Sequence, residues 1–97
     1  MNDLAIQKQR LEELKQFLNG FIQVIDQNIS TYNSKFGALS QTGLSKQVIQ
    51  GYDQNYKQPE IQQLKQLIQR IKDADIPYVN QNIAAIQAAI DAAKQTR

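Results

Sequence analysis

Ninety-seven residues, 41% apolar and 21% charged, amount to one domain of ordinary globular composition and exclude wholesale disorder. Two Pro and four Gly are too few for an all-β chain with many tight turns. Eleven basic and nine acidic residues leave a net charge of +2, a balance that selects neither nucleic acid nor any other highly charged partner.

The first element is the best marked. Leu4, Leu11, Leu14, Leu18, Phe21, Ile22, Ile25, Ile29, Tyr32 and Phe36 fall within about 100° of arc at helical spacing. This single stripe predicts one helix over about 3–34. It passes Gly20 without changing phase, so Gly20 is an interior glycine costing about 1 kcal/mol relative to Ala. Asn33, Ser34 and Gly37 supply the end, and residues 37–44 (GALSQTGL) read as a connector. Ser45 then caps a short helix over about 45–56, with Val48 and Tyr52 on its inner face.

Pro59 and Glu60 predict a fresh helix start, because Pro suits a first turn and an acid there favours the dipole. Ile61, Leu64, Ile68 and Ile71 follow at helical spacing, with Leu67 at the stripe's edge. After Asp73-Ala-Asp-Ile-Pro77, the residues Val79, Ile83, Ile86 and Ile90 form a stripe rotated by about 80°. A kink or short break at 75–77 accounts for the rotation, and Asp73 and Asp75 fit a helix start. Ala84, Ala85, Ala88, Ala89, Ala92 and Ala93 let the last helix approach a neighbour closely.

The expected fold is therefore all-α, a single helical domain over 1–97. A long antiparallel helical hairpin pairs a helix over about 3–34 with a Pro77-kinked helix over about 59–95, and a short helix over about 45–56 lies at the turn, giving a bundle-like assembly. In that register Tyr32 and Phe36 meet Tyr52 and Tyr56 as a turn-end aromatic cluster, while Phe17 and Phe21 lie near Pro77 and Tyr78.

Several chemistries are excluded outright. Without His or Cys there is no Ser–His–Asp or Cys–His arrangement, no disulfide and no ordinary zinc site. The four Gly are isolated, so no phosphate-binding loop forms. Glu12 and Glu13 point about 100° apart on a helix and serve as solvated surface. Asp73 and Asp75 offer too few oxygens for a cation. Lys8, Arg10, Lys15, Lys65, Arg70 and Lys72 are interspersed with acids and Gln and lack interleaved aromatic rings for stacking bases. Gln itself fills roughly one position in six, spread along the chain as a neutral helix surface. Tyr52, Tyr56 and Tyr78, near helix ends, suit a local core with wet hydroxyls or a binding surface.

The expected function is a non-catalytic protein–protein interaction module, an oligomerising helical adaptor or structural subunit. It uses no cofactor, no metal and no small-molecule substrate, and its partner is protein, either a second copy or a helical heteromer. The positive sign is a second apolar face at Ile6, Phe17 and Val24, outside the main stripe, which is the candidate interaction face. No apolar stretch has the length of a membrane span, and the first ten residues lack a signal-peptide core. The protein is accordingly expected in the cytoplasm, or outside the cell without a cleaved signal.

Length, a long helical hairpin and the lack of a signal peptide also resemble the Trp-x-Gly class of proteins exported by type VII secretion. Phe36-Gly37 stands where that family has Trp-x-Gly, and Asn82 follows Tyr78 by four residues where its export signal has an acid. None of the family's residues therefore carries over. An inhibitor or immunity-type helical bundle is a further expectation, from size and class.

Overall fold

The structure is a computed structural model and describes residues 2–95. The fold is all-α, of the helical-hairpin class expected from the stripe, with no strand among the described residues. Its elements are α1 (Asn2–Gly37), a 3-10 turn (Ala38–Gln41), α2 (Lys46–Tyr52), α3 (Gln58–Arg70) and α4 (Ile76–Gln95). Two π turns, Asp53–Lys57 and Ile71–Asp75, join α2 to α3 and α3 to α4, so the helical run from 46 to 95 never breaks.

Helix α1 runs three residues beyond its expected end. Gly37 holds right-handed helical angles, and the chain tightens into the 3-10 turn instead of stopping. Ser40 and Thr42 steady that turn by donating their hydroxyls to the carbonyls of Gly37 and Leu39. The reversal comes at Gly43, whose φ of 84° is costly for any residue with a Cβ. Ser45 caps α2 as its position predicts: its Oγ accepts the Val48 N–H at 3.2 Å, satisfying one orphan donor of the first turn.

The two π turns explain what the prolines do. Pro lacks an N–H, and its ring crowds the carbonyl four residues back. Here Gln58 donates to the Asp53 carbonyl and Ile76 to the Ile71 carbonyl, five residues back in each case. Each widened turn lies just before a proline, Pro59 or Pro77, and carries it without ending the helix. The expected start at Pro59 falls in the first turn of α3, which also holds Glu60, and the expected kink or short break at 75–77 takes the form of the π turn Ile71–Asp75 that contains Asp73 and Asp75.

A π turn also absorbs one residue. On a straight α-helix, Ile71 and Val79 would lie about 80° apart; with one residue absorbed they lie within about 20°. Both are buried, so the rotated stripe keeps its inward direction. The same correction applies to α2. There Val48 is exposed and Ile49 half-buried, because the first π turn brings Ile49, not Val48, into line with Ile61.

The chain divides into two compact units. One comprises Met1–Phe21 with Arg70–Arg97, the other Ile22–Gln69. The second buries Ile22, Ile25 and Ile29 of α1 together with Ile61 and Ile68 of α3, each worth about 1.5–3 kcal/mol on removal from water. The first buries Ile71 and Val79, with Leu4, Leu11 and Leu18 half-buried.

Candidate functional site

Each unit carries one region with side chains to consider. In the second unit, the four expected aromatic residues come together. Tyr52 lies at the centre, 5.7 Å from Phe36 and 5.5 Å from Tyr56 between ring centroids. Its hydroxyl is 2.8 Å from that of Tyr32, which in turn donates to Glu60 Oε1 at 3.1 Å. The Tyr52 hydrogen bond above all, then burial and the Glu60 carboxylate, hold the Tyr32 phenol well above its ordinary range.

Beneath these rings lies Lys57, only 7% exposed. Its Nζ reaches Asp53 Oδ1 at 2.9 Å and Asn33 Oδ1 at 3.1 Å, and stands 5.0 Å from the centroid of the Phe36 ring. Two acceptors and one π face occupy the three ammonium donors, so this buried cation is matched by its surroundings. The Lys57 ammonium is also the main reason that the Asp53 carboxyl is held below its usual range, with a lesser contribution from Gln58. Sequence reasoning missed Lys57 and Asn33. The Asp53–Lys57 spacing was legible as an i,i+4 pair, but Lys57's burial depends on Phe36 and Asn33, more than twenty residues away. A groove of about 260 Å³ beside the rings is lined by Tyr32, Lys35, Phe36, Leu39 and Tyr52.

In the first unit, Ile6 and Phe17 are exposed at 51% and 64%. Phe17 stacks on Phe21 of the same helix, centroids 5.9 Å apart and planes 7° from parallel, and Phe21 is itself exposed. Val24, the third residue of the expected face, belongs to the second unit and is exposed at 50%. A groove of about 290 Å³ is lined by Leu14 and Leu18 of α1 with Ala74, Asp75, Tyr78 and Val79. Leu14 and Leu18, rather than the two Phe, thus line the space beside Tyr78, whose ring is largely exposed.

Among the described residues no three acidic, His or Cys side chains gather as a metal site, and Asp73 and Asp75 belong to no such group. No helix of the described residues is long and apolar enough to cross a membrane. The chain matches no protein-family model, no curated protein and no solved structure.

Proposed function

We propose that this chain is a non-catalytic protein–protein interaction module, an oligomerising helical adaptor or structural subunit, that binds through the α1 face of its first unit. The observation that carries the reading is the stacked, solvent-facing pair Phe17 and Phe21. Burying one such ring is worth about 1.5–3 kcal/mol, and neither ring receives that in full within the chain. Gln holds a helix about as well as Phe or better and stands elsewhere on the exposed sides of the same helix, at Gln7, Gln9 and Gln16. Two Phe on the water side are therefore no requirement of the helix, and they suit a partner that excludes water from them.

The second unit's cluster supports a structural role by contrast, since the Tyr32 and Tyr52 hydroxyls bond to each other and to Glu60, and the Lys57 cation bonds to Asn33 and Asp53. Acid–base and nucleophilic chemistry would have to run without any His or Cys. The test is capture from a lysate of the cells that make the protein, with tagged wild-type chain and a Phe17→Ser variant side by side. The reading expects a protein retained by the wild type and lost from the variant. Equal retention by both chains, or none by either, contradicts it.

A further inference from the structure

We infer that the partner protein presents an arginine to the groove of the first unit, its guanidinium meeting Asp75 and the Tyr78 ring while its methylene stem lies along Leu18 and Val79. The inference rests on the interaction reading above and gives the partner a chemistry. The groove has a volume of about 290 Å³, and among the described residues that line it Asp75 alone is charged. Asp75 is half-buried, and among the described residues its carboxylate joins no ion pair and accepts no side-chain hydrogen bond. A cation docking there gains a charge partner already partly withdrawn from water. The other occupants fare worse. An apolar side chain would strip water from Asp75 and return no bond, and an acidic one would repel it.

The walls of the groove favour Arg over Lys. Val79 is buried and Leu18 half-buried, so they form an apolar floor. Long basic side chains lay their stems on such surface and keep the charged head near water. Tyr78 stands at the edge, 67% exposed, with a ring face open to a cation. A planar guanidinium stacks on that face and offers a carboxylate two parallel donors, whereas an ammonium acts as a point charge.

Charge beside the groove points the same way. The α1 arc that holds Leu14, Phe17 and Phe21, about 100° wide, also carries Asp3, Arg10 and Glu13. Arg10 is matched by Glu13 through hydrogen bonds of 2.9 and 2.8 Å, which leaves the acid Asp3. Lys15 lies about 100° round the helix from Leu14 and lines no part of the groove. Lys72 and Asp73, in the π turn that holds Asp75, oppose each other in sign. Leu14 stands about 20° from Phe21 and 60° from Phe17 round α1, so one partner segment can cover the stacked rings and fill the groove.

Peptides selected from a random library on the immobilised wild-type chain test this, the best binder being measured by calorimetry. The selected peptides should share an Arg beside apolar residues. Asp75→Asn should raise the dissociation constant of that binder at least about tenfold, with helical circular dichroism unchanged. Against the same peptide carrying citrulline, which keeps the shape of Arg without its charge, Asp75→Asn should change affinity less than about twofold, because the pair is already broken. Selection on Asp75→Lys should replace Arg by Asp or Glu. Selections without Arg enrichment, like peptides from wild type and Asp75→Lys, or an Asp75→Asn loss equal for the Arg and citrulline peptides overturn the inference. A lysate protein held through Phe17 yet indifferent to Asp75→Asn leaves the interaction reading standing and removes this inference. Arg peptides that need Asp75 yet bind Phe17→Ser like the wild type keep the groove and remove the stacked rings from the reading.

Discussion

The two units use the same helix α1 for different ends. In the second, α1 presents Ile22, Ile25 and Ile29 to a buried core, and its polar residues reach across to the returning helix through Tyr32–Tyr52, Tyr32–Glu60 and Asn33–Lys57. In the first, the Arg10–Glu13, Asn82–Tyr78 and Gln87–Asp91 bonds each stay within one helix, and Phe17, Phe21 and Tyr78 face water. One unit spends its aromatic residues on itself; the other displays them. An exposed aromatic residue therefore needs its neighbours before it can be read: Tyr56, as exposed as Ile6 or Phe17, belongs to a self-satisfied cluster, and Phe17 does not.

The largest expected effect tests where stability resides. Ile25→Ala should lower unfolding free energy by about 2–5 kcal/mol, while Phe17→Ala, measured where the chain is monomeric, should stay within about 0.5 kcal/mol. Urea denaturation distinguishes them, and comparable losses would erase the contrast between the units. Lys57→Ala should come next, at about 2 kcal/mol, because it strips Asp53 and Asn33 of their shared donor. An unchanged urea midpoint would show that this network holds nothing together.

Much of this was legible in the sequence. The stripe from Leu4 to Phe36 reports α1, since only a helix puts ten residues so spaced on one side. Ser45 as a cap and the four-ring cluster follow from local chemistry and from pairing the two arms. What the sequence obscured was the pair of π turns. Proline reads as a stop because most helices end there, and a phase shift of about 80° fits a kink as readily as one absorbed residue. Val48 was misplaced for that reason. The burial of Lys57 had no local signal, because its partners Asn33 and Phe36 come from another helix.

The phase account makes a sharper and smaller prediction. Deleting Ala74 together with Pro77→Ala should straighten the helix while keeping Ile71 and Val79 in line, leaving stability within about 1 kcal/mol of wild type. Deleting Gln66 from regular helix α3 instead turns every later residue by about 100° and should abolish the first unit's helical signal. Equal tolerance of both deletions would mean that phase does not matter here.

Smallest are the pH effects, confined to the second unit. Because Asp53 is held below its ordinary value of 3.8, its contribution is whole above that value and fades as pH falls through the lowered one. Tyr32 is held above its ordinary value of 10.0, so its contribution is whole below pH 10 and is lost as pH rises beyond it. Asp53→Asn should flatten the acid limb of a urea-midpoint profile and Tyr32→Phe the alkaline limb. Profiles that keep the wild-type shape would assign those limbs to other groups.

The most direct test sets one exposed ring of each unit against the other. Phe17→Ser and Tyr56→Ser remove rings of similar exposure, and partner retention can be measured for both against the wild type. The account predicts that Phe17→Ser loses the bound protein while Tyr56→Ser keeps it. Retention lost with Tyr56→Ser and kept with Phe17→Ser would place binding at the second unit's cluster and contradict the account.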